Sequence, residues 1–94
     1  MRTAARVDKN QAEIVSALRR IGASVLMTFQ LKNAFDILVG YRGRTFLMEI
    51  KTSEKEKLTL GEFDFRAHWR GSPYHVVTSV DEALAIVCAP PPLP

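Results

Sequence analysis

Between Phe35 and Lys51 the chain reads Phe-Asp-Ile-Leu-Val-Gly-Tyr-Arg-Gly-Arg-Thr-Phe-Leu-Met-Glu-Ile-Lys. Two arms rich in β-branched, aromatic and aliphatic residues flank Arg42-Gly43, where glycine can take a positive φ, and this pattern predicts two strands joined by a tight turn. A turn centred on Arg42-Gly43 pairs Tyr41 with Arg44 and, counting outward, Asp36 with Glu49. Directly opposed Cβ atoms lie about 4.5–5.5 Å apart. Strand alternation puts Lys51 on the same face, two residues beyond Glu49.

Like charges opposed across strands repel. A hard, oxygen-coordinated cation resolves that conflict and binds phosphate well, with Lys51 offsetting part of the charge or positioning a water. Equally, Lys51 can simply pair with one carboxylate in a surface cluster, since structural ion pairs are common. From these residues alone both readings stand.

An aspartate opening an apolar strand, a tight turn, and Glu-x-Lys closing the next strand resembles the PD-(D/E)XK nuclease superfamily, with Asp36, Glu49 and Lys51 at the three motif positions. Further phrases narrow the likeness: Asn10-Gln11-Ala12-Glu13-Ile14-Val15 before, Leu58-Thr59 after, then Trp69-Arg70-Gly71 and Ser79-Val80-Asp81-Glu82-Ala83-Leu84. Together they resemble the small virus-type replication-repair nucleases (VRR-NUC), relatives of the Holliday junction resolvases that are common in phages. The likeness spans roughly Asp8 to Val87. One departure is Phe35, where such nucleases usually carry proline before the aspartate. The resemblance implies a metal site of Asp36, Glu49, the Ile50 carbonyl and Glu13 of the first helix, holding Mg²⁺ or Mn²⁺, with Asp36, Glu49 and Lys51 catalytic. A capping box, Asn10-x-x-Glu13, is the local alternative for Glu13. Relatives often carry glutamine early in the second helix, where this chain has Glu62 and Phe63.

Ninety-four residues make one domain with a limited core, to which a second copy would add stability. An apolar fraction of 47% argues against disorder. No apolar run is long enough for a membrane span and no signal peptide is visible, so neither a membrane protein nor a secreted one is expected. The lone Cys88 fits a reducing compartment, a bacterial-type cytoplasm in a host or phage setting. A net charge of +3 is a mild bias that suits nucleic acid without requiring it.

In chain order, residues 1–7 form a basic arm and residues 8–88 the domain, followed by a proline-rich tail over 89–94. A helix is expected from about Lys9 to Arg20, burying Ile14, Ala17, Leu18 and Ile21 and ending at Gly22. Gln11 reads as solvated, with substrate contact the weaker alternative. A strand follows over Ala23–Phe29, then a loop over Gln30–Asn33 and the hairpin. Thr52–Lys57 reads as a mobile loop. Thr59-Leu60-Gly61-Glu62 is a capping box that opens a helix to about Trp69, a residue expected in the core. A strand over Tyr74–Thr78 and a helix opened by a second box at Ser79–Glu82 complete an α/β arrangement. Its order, αβββαβα with a mixed sheet flanked by helices, is the core the resemblance implies for a single restriction-endonuclease-like domain. Lys32, Arg44, Lys55, Lys57, Arg66 and Arg70 are candidate phosphate contacts, the last two forming an i, i+4 stripe.

The expected activity is metal-dependent endonucleolytic hydrolysis of DNA, selective for branched structures such as a four-way junction or flap. Symmetric cutting of a junction would call for a homodimer. The rivals are a nucleic-acid-binding module that has lost turnover and an accessory protein of phage replication or packaging.

Overall fold

The computed structural model describes residues 9–91; the basic arm, Asp8 and tail residues 92–94 lie outside them. The hairpin forms as read. Strands β2 (Ile37–Tyr41) and β3 (Arg44–Ile50) pair antiparallel with Tyr41 opposite Arg44 and Ile37 opposite Met48. Arg42 and Gly43 both take positive φ, 51° and 79°, the pattern of a two-residue type I′ turn. That turn matches strand twist and sets the register on which the rest of the sheet depends.

The remaining elements are α1 (Lys9–Arg20), β1 (Ser24–Met27), α2 (Leu60–His68), β4 (Tyr74–Val77) and α3 (Val80–Cys88), giving the expected αβββαβα order. The sheet is mixed, in the order β1-β2-β3-β4, with β4 parallel to β3 and the other pairs antiparallel. The Leu18 and Arg19 carbonyls accept from the Ala23 and Gly22 N–H groups, with Gly22 at φ 98°, so α1 ends in a Schellman motif. β1 is shorter than expected because the chain turns at Thr28, whose carbonyl accepts from Leu31 N–H. α2 has the full capping box of Thr59 and Glu62. In α3 only half of the box forms: Ser79 accepts from Glu82 N–H, while the Glu82 carboxylate accepts from the N–H and hydroxyl of Thr78 instead.

The two sheet faces differ. Val25, Ile37, Val39, Phe46, Met48, Ile50 and Val77 are buried against Ile14, Val15 and Leu18 of α1 and Ala83 and Val87 of α3. The opposite face carries Leu47, Glu49 and Lys51, all buried, so β3 is covered on both sides. α2 lies over that second face without a fully buried residue of its own. It is docked by Phe65, whose ring stacks on Trp69 and lies 5.9 Å from Phe35 and 6.0 Å from Tyr74. Phe35, immediately before Asp36, thus fastens α2 to the sheet. Trp69, expected in the core, is 39% exposed. Among the described residues no helix is long and apolar enough to cross a membrane.

Because both turn residues need positive φ, Gly43→Ala should lower the unfolding free energy by about 1 kcal/mol, read as a lower urea midpoint, and Arg42→Asn should raise the midpoint. Unchanged midpoints in both variants would mean that the turn does not hold the register.

Candidate active site

Pairing of β2 with β3 stops one residue short of Asp36. There the side chain takes over from the backbone: Asp36 Oδ2 accepts from Ile50 N–H at 2.8 Å, while Asp36 N–H donates to the Met48 carbonyl at 3.0 Å. On the other side of β3, Lys51 N–H donates to the Val77 carbonyl at 2.9 Å, so the Glu49–Lys51 segment is held from both flanks. The Ile50 N–H faces Asp36, and strand geometry aims the Ile50 carbonyl to the same side.

Glu49 and Lys51 are only 4% and 5% exposed. Lys51 Nζ lies 2.9 Å from Glu62 Oε1, 3.4 Å from Glu49 Oε2 and 4.0 Å from Glu56 Oε2. Glu62 does two jobs with one oxygen, which accepts from Thr59 N–H in the α2 cap and from Lys51. Glu56 folds the 52–57 loop back by accepting from the N–H and hydroxyl of Thr52. These residues, with Gln11, line a cavity of about 480 Å³. A larger cavity of about 650 Å³, near Phe46, His75 and Ile86, is mainly apolar and lies at the other end of the sheet from these carboxylates.

Burial is the main cause of the perturbed acidities. It drives Glu49 up to about 9, helped by the neighbouring Asp36 and Glu62 carboxylates. Asp36 is also raised by burial, against the opposing pull of the Ile50 hydrogen bond. Burial pulls Lys51 down, but its bond to Glu62 and the adjacent negative charges outweigh that and hold it above the usual lysine value. Glu62 is likewise desolvated, yet its bonds from Lys51 and Thr59 keep it below the usual carboxylate range. Glu49 and Glu62 therefore share a cavity in opposite protonation states at neutral pH.

Several sequence expectations need correction. Glu13 is exposed and lines a separate groove with Ala12, Ser16 and Val80, so it is neither beside Asp36 nor in a capping box. Asn10, its supposed partner, instead donates to the Lys51 and Thr78 carbonyls at 2.7 and 3.1 Å. The helix residue at the site is Gln11, 3% exposed rather than solvated. Arg44 opens β3, about 17 Å of strand from Glu49, and donates to the Ala89 carbonyl just beyond α3 at 2.6 Å. α2 ends at His68, so Arg66 and Arg70 form no helical stripe, and Arg66 instead lies 6.0 Å over the Tyr74 ring. Lys55 and Lys57 are exposed on the loop that rims the site through Thr52 and Glu56, and Lys32 is exposed beside α2.

Among the described residues, no three His, Cys, Asp or Glu side chains converge as a ready metal cage. The donor chemistry nevertheless fits a hard cation. Four carboxylates face one ammonium in this cavity, every candidate donor is oxygen, and Mg²⁺ characteristically takes one or two carboxylates and completes its shell with water and substrate phosphate. Gln11 Nε2, buried at the cavity wall, has no hydrogen-bond partner among the described residues.

No protein-family model matches the chain, no curated protein matches its sequence, and no solved structure matches its fold. What the molecule does is therefore read from the site alone.

Glu49 binds a proton in the folded chain up to about pH 9, whereas the unfolded chain releases it near 4.5. Between those values the folded state holds more protons, so raising the pH lowers stability. Raised Asp36 acts with the same sign, and His75, whose ordinary value is 6.5, is mostly neutral above pH 7 in both states. Without divalent cations the melting temperature should therefore fall from pH 7 to 9, and Glu49→Gln should flatten the profile. A wild-type profile that rises over this range would contradict a buried, protonated Glu49.

Proposed function

We propose that this chain is a divalent-cation-dependent nuclease of the PD-(D/E)XK class, similar to the VRR-NUC and Holliday junction resolvase-like enzymes, with a restriction-endonuclease-like core. The observation that carries the reading is the convergence of Asp36, Glu49 and buried Lys51 in one cavity at the end of β3. Asp36, Glu49 and the Ile50 carbonyl would hold Mg²⁺ or Mn²⁺, Glu49 losing its proton as the cation enters. Glu13 takes no part in this set. A cation held there would offset charge on the scissile phosphate and lower the pKa of an attacking water. Lys51, kept charged and oriented by Glu62, donates to the attacking water or to a phosphate oxygen as negative charge builds. Gln11 Nε2, unpartnered among the described residues, would donate to another phosphate oxygen. Lys32, Lys55 and Lys57 would follow the backbone through salt-dependent contacts that carry no sequence information. The substrate is DNA, branched as a junction or flap, in a bacterial or phage-infected cytoplasm. Paired cuts on such a substrate need two copies, and a homodimer should be seen by light scattering.

A binding module without turnover is the second reading. It is favoured by Lys51 lying closer to Glu62 than to Glu49, a contact that could sequester the ammonium.

Labelled junction, flap, single-stranded and duplex DNA should separate the two. Wild type should cut with Mg²⁺ or Mn²⁺ and not with EDTA. Asp36→Asn, Glu49→Gln and Lys51→Ala should each lose at least about a hundredfold in rate, the scale for a group acting on developing charge. Folded wild type that binds DNA and never cuts it would leave the binding module.

A further inference from the structure

A second cavity, of about 390 Å³, lies on the other side of α2 and is not explained by the cleavage chemistry. Its volume falls within the usual range for small-ligand sites, about 300–1,000 Å³. Its walls come from the turn before β2 and from one flank of α2 and the residue after it: Lys32, Asn33, Asp64, Phe65, His68 and Trp69. Three of the six are aromatic. Phe65 and Trp69 are stacked with centroids 5.4 Å apart, and Trp69 is pinned by Nε1 donating to the Ser72 carbonyl at 2.7 Å. Asn33 holds a positive φ of 61° and packs its carboxamide against Gly61, where any Cβ would collide with it. The glycine thus makes room for the amide at the cavity wall.

We propose that this cavity takes one unpaired nucleobase of the strand whose adjoining phosphate lies at the Asp36–Glu49–Lys51 site. The inference rests on the nuclease reading and adds to it the feature of branched DNA that the protein recognises. One face of Trp69 is covered by Phe65, so a base would meet its other face or the ring edges, and such contacts tolerate any sequence because every base presents a π-face. Asp64 makes the interior unfavourable for a phosphate but accepts hydrogen bonds from exocyclic amines, as carboxylates do from cytosine. The Asn33 amide can donate or accept at a base edge. Lys32, at the rim, suits the phosphate that accompanies the base. Adjacency comes from α2: Gly61 lines this cavity and Glu62, the next residue, lines the carboxylate–lysine site. A base in a duplex arm is stacked and paired, so only a flap or single strand offers one at no unpairing cost.

Trp69 is the only tryptophan in the chain, so tryptophan emission comes from a wall of this cavity. In EDTA, which prevents cleavage, a short single strand and a flap should quench that emission, and a blunt duplex of the same sequence should not. Asn33→Ala, and Gly61→Ala which crowds Asn33, should each weaken single-strand binding by about fivefold or more, the loss of one base contact, with melting curves showing both variants folded. Quenching by the blunt duplex as strongly as by the single strand, no quenching by any DNA, or undiminished binding by both folded variants would overturn the proposal. The two readings can fail separately. Cleavage by a protein whose Trp69 emission ignores DNA removes the base cavity and keeps the nuclease. Quenching that the variants weaken, with no cleavage in Mg²⁺ or Mn²⁺, keeps the cavity and removes the nuclease.

Discussion

Lys51 is buried with its ammonium 2.9 Å from Glu62 and 3.4 Å from Glu49, and this contact joins the end of β3 to the first turn of α2. Taking such charges out of water costs several kcal/mol per ion, repaid only where geometry is good and the remaining donors and acceptors are used. Here Lys51 satisfies Glu62, Glu62 also caps α2 through Thr59, and Asp36 accepts from Ile50 N–H. Removing one member would strand its neighbours, so helix position and acid–base chemistry are coupled. α2 has little else to hold it beyond the Phe65 cluster with Phe35 and Tyr74.

The same burial leaves the cavity with more negative charge than one lysine can offset. The chain's response is to keep Glu49 protonated, its acidity pushed to about 9, while Glu62 stays ionised against Lys51. A cation entering this site would have to displace that proton, so its affinity should rise with pH. That links the pH response of the empty protein to its proposed chemistry.

The hairpin was legible because Arg42-Gly43 leaves one economical register, and alternation then placed Asp36, Glu49 and Lys51 together. Glu13 was misplaced by the phase of α1. The buried stripe is Gln11, Ile14, Val15 and Leu18, and at 3.6 residues per turn Glu13 lies roughly 200° around the helix from Gln11. The expected stripe of Ile14, Ala17, Leu18 and Ile21 shares Ile14 and Leu18 with the observed one, so periodicity alone does not separate the two phases. Glu62 was hidden for another reason: the capping box accounts for it locally, and nothing in the sequence tells that the same oxygen also reaches Lys51. Asn10 was lost similarly, its cap-like context concealing a tertiary bond to the Lys51 carbonyl. Arg44 and Arg70 could not be placed from charge alone, since an arginine at a strand start or beyond a helix end depends on what the fold brings near it.

Proton release on cation binding tests the central claim most directly. Mg²⁺ or Mn²⁺ would be titrated calorimetrically at pH 7 in two buffers of different ionisation enthalpy, with wild type beside Glu49→Gln. The account predicts about one proton released per cation by wild type, as expected when a ligand must ionise to bind, and none by the variant. Tight cation binding by wild type without proton release, or no binding at all, would contradict a buried Glu49 held neutral until a cation arrives.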